Sequence, residues 1–274
     1  MLLQRQTRRL DVWDRVDLIL HIFDKHAITT EAKLQIELAR MRYMGPRIYG
    51  MGFVLSRQGG GIGTSGIGET NTELMKRHWR NEIKKLTDQL EKLSKAKEMH
   101  IEQRKRAGLK TISIVGYTNA GKSSLFNLLT GKHTLVEDVL FATLDSTVGK
   151  MYIPKLQKEV LVTDTIGFIR NLPPRLINAF KSTLTESIHA DILLHVIDIS
   201  DPEVDEKIHV VKNILLELGR DNEDVIYVFN KIDAVSVLPE KELCKKYELN
   251  SPLFISVKTR IGIPKLQEII AKRA

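Results

Sequence analysis

The sequence predicts a two-part α/β chain. A P-loop domain with a mostly parallel sheet flanked by helices covers residues 109–274, and a coiled-coil-like α-helical hairpin covers residues 1–108. Three observations predict it. Short apolar runs at 112–115, 160–163, 225–229 and 253–255 each end in a compact polar motif. The first run passes through a glycine-bearing loop into a helical pattern that starts near Ser124. In the N-terminal part, Ile83, Leu86, Leu90 and Leu93 recur at 3-4-3 spacing among Lys, Asp and Glu, the pattern of a two-helix seam.

The glycine-bearing loop reads Gly116-Tyr117-Thr118-Asn119-Ala120-Gly121-Lys122-Ser123 and leads into Ser124. A strand, then GxxxxGK[ST], then a helix is the context of a phosphate loop, whose backbone N–H groups and helix dipole favour anions. Lys122 is expected on the β- and γ-phosphates and the Ser123 hydroxyl on Mg²⁺. The run 160–163 ends in Asp164-Thr165-Ile166-Gly167. There Asp164 would hold Mg²⁺ through water, and the Gly167 N–H would meet the γ-phosphate. The run 225–229 ends in Asn230-Lys231-Ile232-Asp233. A carboxylate at that place accepts from guanine N1–H and N2–H₂, donors that adenine lacks there, so Asp233 would select the base. The last run ends in Ser256-Val257-Lys258, similar to the Ser-Ala-Lys element whose backbone meets guanine O6. Each tetrapeptide alone is weak, but four in this order, each at a strand end, point to GTP and GDP as ligands.

Composition bounds the rest. The 274 residues are 42% hydrophobic and 28% charged, ordinary for a soluble protein long enough to bury a sizeable core. No run of 18 apolar residues occurs, so no membrane span is expected. No secretory signal is legible, and Cys244, the single cysteine, excludes an internal disulfide; a cytoplasmic, monomeric protein is expected. The net charge of +8 is uneven. Residues 1–108 carry 21 Lys+Arg against 13 Asp+Glu, whereas 109–274 carry 21 of each. The basic excess of the N-terminal part favours RNA as a partner.

Within that part, residues 16–28 read as strand or helix. A helix is expected over 31–44, stopped by Gly45-Pro46. An uncharged glycine-rich loop is expected over 58–68, with six glycines in eleven residues. A long helix then runs over 70–107, with Lys76, Arg77, Trp79 and Arg80 near its start. His21, His26, His78 and His100 read as surface residues, and no histidine–cysteine cluster has zinc spacing.

The stretch from Arg57 through the glycines to Glu69-Thr70, the long basic helix and the Gly-Tyr-Thr-Asn-Ala-Gly-Lys-Ser loop together resemble the HflX family of ribosome-associated GTPases. Asp138-Val-Leu-Phe141-Ala142-Thr143-Leu-Asp145 and Asp164 to Arg170 match the family's two switch segments. The resemblance runs from about residue 8 onward. Against the family pattern, the chain is expected to lack most of an N-terminal α/β subdomain and a C-terminal extension. What the resemblance implies is GTP hydrolysis coupled to binding the large ribosomal subunit through its rRNA, and the splitting of stalled ribosomes. An alternative is a GTP-dependent RNA-binding or ribosome-assembly module that uses nucleotide only as an occupancy switch.

The expected Mg²⁺ ligands are Ser123, Asp164 and, from the first switch, Thr143, with Thr147 as the alternative threonine. Lys122, Thr143, Gly167 and Asn119 form the expected catalytic set. The position after Gly167 is Phe168, where many GTPases place a water-orienting glutamine, so slow intrinsic hydrolysis is expected. Asn119 reads two ways: a turn residue tolerant of unusual backbone angles, or a group that helps hold K⁺ against the phosphates, as in related GTPases.

Overall fold

The computed structural model describes residues 12–58, 65–132, 146–165, 167–168, 189–220, 225–247 and 251–274. The chain divides into two compact units that part at Lys97 and Glu98, inside its longest helix.

The first unit is helical. Residues 16–28 resolve as helix: α1 spans Arg15–His26, opened by a capping box in which Asp14 accepts from the Val16 and Asp17 N–H groups. Ile19, Leu20 and Phe23 bury its apolar stripe, and the Asp14 carboxylate takes hydrogen bonds from Tyr43 and Arg47 of the next helix. That helix, α2, spans Thr30–Gln58. It therefore runs through Gly45-Pro46, where the sequence predicts a stop. A proline inside a helix removes one N–H and leaves a carbonyl unanswered. Four residues back from Pro46 is Arg42; the neighbouring carbonyl, that of Met41, is the one met by the following helix, α3, Ser65–Arg106. The Trp79 indole N–H donates to the Met41 carbonyl at 3.0 Å, and a Cβ on Gly45 would meet the indole nitrogen at 2.9 Å. Gly45 is the residue that lets Trp79 lie against the backbone. The loop expected over 58–68 is correspondingly shorter. Gln58 ends α2 and Ser65 begins α3, and residues 59–64 lie outside the described residues.

The two long helices are antiparallel: Trp79 meets α2 near its middle, and Lys97 pairs with Glu31 at its start, 3.7 Å away. Of the predicted seam, Leu86 is buried, Ile83 and Leu90 are half-buried, and Leu93 is exposed. Lys97, one heptad after Leu90, continues the contact face through its ion pair with Glu31.

The second unit is the predicted α/β domain. Strands β1 (Thr111–Gly116), β2 (Thr147–Ile153), β3 (Lys158–Asp164), β4 (Ile192–Asp198), β5 (Val225–Asn230) and β6 (Leu253–Phe254) form one sheet in the order β2-β3-β1-β4-β5-β6. Only β2 runs antiparallel. Helix α4 is Lys122–Thr130, α5 Val204–Glu217, α6 Glu240–Tyr247 and α7 Ile263–Arg273. Leu125 and Phe126 of α4 and Leu266 and Ile270 of α7 join Ile112, Ile114, Val162, Leu194 and Val228 in one core. Along β4 the alternate residues, Leu193, His195 and Ile197, face the opposite layer, where α5 lies.

Register brings the motifs together. Gly116 pairs with Val196, Ile114 with Asp164, and Asp198 with Asn230. The carboxyl ends of β1, β3, β4 and β5 thus share one edge of the sheet, the place where open α/β sheets bind ligands. No helix among the described residues is long and apolar enough to cross a membrane.

Candidate nucleotide site

The phosphate loop leaves β1 at Gly116 and enters α4 at Lys122. Asn119 sits at φ 63 and Gly121 at φ 92, so the loop turns through two left-handed residues. Asparagine tolerates that conformation, which meets the turn reading of Asn119 directly. At Gly121 a Cβ would stand 2.4 Å from Asn230 Nδ2, so glycine is required there by contact as well as by angle. Ala120 is buried beneath the loop, and Ser123 and Ser124 form the half-buried first turn of α4.

Lys122 is buried, and its ammonium donates to the Tyr117 carbonyl at 2.9 Å. Burial pushes its pKa down to about 8, and the charge of Asp164 opposes the shift. The ammonium is held by one carbonyl, with the Asp164 charge favouring it, in a site that disfavours a lone cation, a setting that phosphate oxygens would improve. Gly167 lies over it: a Cβ there would come within 3.0 Å of Lys122 Nζ and 2.8 Å of Thr118 Cγ2.

The two sides of the phosphate site are stitched by backbone. Phe168 N–H donates to the Gly116 carbonyl at 3.1 Å, and Thr118 N–H donates to the Phe168 carbonyl at 2.9 Å. The Phe168 side chain is buried, so the position after Gly167 offers no polar group to a water. Thr165, expected among the ligand contacts, turns its hydroxyl inward to the Ile114 carbonyl at 2.7 Å. Asp164 is fully buried at the end of β3, opposite Thr147 in the β2–β3 ladder. Phe141, Ala142, Thr143 and Ile166 lie outside the described residues.

Around the expected base pocket, Asn230 is a tie. Its Nδ2 donates to the Ala120 carbonyl at 2.9 Å and its Oδ1 accepts from the Val257 N–H at 3.1 Å. One buried side chain thereby fastens the phosphate loop to the Ser256–Lys258 loop. Asp233 accepts from the Ser256 hydroxyl at 2.5 Å, which holds its carboxyl below the usual carboxylate range. Ser256 is itself fixed by the Thr259 N–H at 3.0 Å, and Lys258 is exposed. The carboxylate is thus held in one orientation by Ser256.

Sequence reasoning passed over two contributors. Asp198 pairs with Lys231 at 2.7 Å, and Lys207, ion-paired with Asp201, lies 5.0 Å from the Tyr117 ring centroid. The signal for Asp198 was present: it ends the apolar run 192–197 just as Asp164 ends β3.

The donor set suits Mg²⁺. This ion takes one or two carboxylates and completes its shell with water and phosphate oxygens. Among the described residues no group of three or more His, Cys, Asp or Glu side chains could form a protein-only cage. What stands beside the loop is one buried carboxylate, Asp164, and the Ser123 hydroxyl.

Two family models match the chain. One, for the GTP-binding GTPase middle region, covers residues 26–104, and one for 50S ribosome-binding GTPases covers residues 111–231. GTPase HflX of Caldanaerobacter subterraneus is 49% identical over 259 residues, 94% of this chain and 59% of the relative. GTPase HflX of Escherichia coli is 42% identical over 264 residues, 96% of this chain and 61% of the relative. The chain therefore spans about three-fifths of the length of these relatives. A crystal structure of a GTP-binding protein from Sulfolobus solfataricus in complex with GDP is 31% identical, with a TM-score of 0.59, over 98% of this chain and 75% of that one. With motifs, fold and relatives in agreement across both units, the chain belongs to the HflX family of GTPases.

Proposed function

We propose that the chain binds GTP with Mg²⁺, hydrolyses it to GDP and phosphate, and couples that cycle to the large ribosomal subunit, with residues 1–108 as the RNA-facing part and 109–274 as the nucleotide domain. The observation that carries the nucleotide reading is the pre-set Asp233–Ser256 pair, tied through Asn230 to the phosphate loop. A base reader and a phosphate cradle joined by one buried side chain suit a guanine nucleotide, whose two ends must be held at a fixed span.

In that reading Lys122 and the loop N–H groups stabilise charge developing on the phosphates. Gly167 gives its N–H to the γ-phosphate, and the absence of a Cβ lets it approach. Ser123 and Asp164, with Thr143 from the first switch, would hold Mg²⁺, which when bound neutralises charge across the β- and γ-oxygens. With Phe168 buried, no side chain at that position orients the attacking water, so intrinsic turnover is slow and a partner completes the chemistry. The same observation sustains the alternative of an occupancy switch. Turnover measured with and without 50S subunits separates the two: stimulation by the subunit supports the hydrolase, and no turnover in either condition supports the switch.

The RNA contact rests on the basic excess of residues 1–108 and on the exposed Arg77 and Arg80 of α3. We expect GTP-state association with large subunits to weaken steeply with salt, because phosphate contacts release counterions. Reversing Arg77 and Arg80 to glutamate should weaken co-sedimentation by on the order of tenfold and flatten the salt slope, with nucleotide affinity unchanged. Equal sedimentation of the variant and the parent would remove α3 from the contact. Splitting of stalled ribosomes in the cytoplasm is the further step this reading allows, and a subunit-dissociation assay under GTP tests it.

For Asn119, the K⁺ role predicts faster hydrolysis in KCl than in NaCl at equal ionic strength. Asn119→Gly, which keeps φ 63 accessible, should abolish that difference. Equal rates in the two salts leave Asn119 as the turn residue its backbone angle already explains.

A further inference from the structure

We propose that the phosphate loop carries a second, internal site on its far side: one ordered water held between the Thr118 hydroxyl and the His195 imidazole, which makes His195 a positioning residue for the loop. Two buried polar atoms point to it. Thr118 Oγ1 and His195 Nδ1 are each buried with no hydrogen-bond partner in the protein. His195 is 1% exposed and Thr118 8%. Buried polar groups are almost always paired, with protein or with water. Both residues line the same cavity, together with Tyr117 and Ala120 and, from α5, Val204 and Ile208. The space open to a water's centre there is about 10 Å³, room for one molecule.

The charges around the cavity favour water over an ion. Its acidic neighbours are already engaged: Asp198 by Lys231 and the Ser200 N–H and hydroxyl, Asp201 by Lys207 and the Glu203 N–H. The imidazole is neutral, because burial pushes its pKa down to about 3, aided by the charges of Lys212 and Lys122. A cation would find no free anion there, and an anion would face two carboxylates. Water supplies what both residues lack, a donor for an imidazole nitrogen and a partner for a hydroxyl, and the ring can present either nitrogen by a half-turn.

The site would act on the loop from behind. Thr118 N–H is held in front by the Phe168 carbonyl. The bridging water would fix the same residue to β4, so the N–H groups that follow it keep the curvature phosphates need. This consequence rests on the nucleotide reading above, whereas the water itself does not.

The test has two arms. In a crystal structure of the full chain at about 1.5 Å resolution, an ordered water within hydrogen-bond distance (about 3.2 Å) of Thr118 Oγ1 and a His195 ring nitrogen is expected. Thr118 Oγ1 turned onto a protein acceptor, with no water between the pair, would overturn the proposal. In the second arm GDP affinity is measured for Thr118→Val, His195→Leu and the double variant. Each single change should cost about tenfold, and the double no more than the worse single, because both remove one shared water. His195→Gln, which keeps a polar partner, should stay within about twofold of the parent. Costs that multiply in the double variant would mean independent roles and sink the bridge. If His195→Leu fails to fold, the crystal structure of Thr118→Val decides, with loss of the water expected and its retention counting against the proposal. Failure of the parent chain to bind GDP at all would instead strike the nucleotide reading and leave the crystallographic arm standing.

Discussion

Asp233→Asn is expected to lower GTP and GDP affinity by on the order of a hundred- to a thousand-fold, and to raise affinity for xanthosine nucleotides. In the proposed site the carboxylate accepts from two guanine donors at once. An amide keeps one acceptor and turns an N–H₂ toward a donor, so one hydrogen bond becomes a clash of like groups. Xanthine presents a carbonyl where guanine has its amino group, and so it suits the amide. The Ser256 hydroxyl donates to Asp233 Oδ1 at 2.5 Å and prevents the side chain from swinging away to relieve the mismatch. Ser256→Ala should therefore act in the same direction but more weakly, by roughly tenfold, since it frees the carboxylate without removing it. Direct titration of the variants with fluorescent GDP and XDP measures both effects. Unchanged GDP affinity in Asp233→Asn would withdraw the base-reading role from the 230–233 motif.

The strand-end motifs were legible because each couples a local signal to a position. An apolar run that stops at Asp164 or Asn230 marks both a buried strand and its exit, and parallel register then gathers those exits at one edge. Strand β4 also ends in an aspartate, Asp198, but no glycine or nucleotide motif follows it, although its six residues from Ile192 to Ile197 are all buried. It was recognisable only as an apolar run, and without β4 the cavity behind the phosphate loop was invisible. The role of Asn230 was legible only as membership of a motif. That its amide spans from Ala120 to Val257, 110 and 27 residues away in sequence, is a tertiary fact. Gly45-Pro46 misled for the opposite reason. Locally it is a helix breaker, but α2 continues through it, with Trp79 of a helix that starts twenty residues later packed against Gly45 and bonded to the Met41 carbonyl. Thr165 shows the same limit at one residue: its place in the Asp-Thr-Ile-Gly motif said nothing of its hydroxyl, which answers a buried carbonyl of β1.

Lys122→Met is expected to separate binding from stability in a way few substitutions do. Nucleotide affinity should fall by on the order of a hundredfold or more, because the buried charge on the phosphates is lost. The nucleotide-free protein should nevertheless melt no lower, and near neutral pH higher, since methionine fills a similar volume without a buried charge. The pH dependence follows from the shift itself. The folded pKa of Lys122 is about 8, below its ordinary 10.5, so between those values the unfolded chain holds more protons than the folded one. Stability of the nucleotide-free protein from this group therefore rises as pH climbs from about 8 to 10.5, and the burial penalty is felt in full below that window. The methionine variant should lack that rise. Nucleotide phosphates beside the ammonium favour its charged form and return the pKa upward, so GDP binding near the upper half of the window must take up a proton in the parent and none in the variant. Calorimetry of GDP binding in two buffers of different ionisation enthalpy reads that proton directly. Equal apparent enthalpies in the two buffers for the parent would mean that Lys122 is already fully charged in the free site, and that the carbonyl of Tyr117 and the carboxylate of Asp164 hold it as a cation before any phosphate arrives.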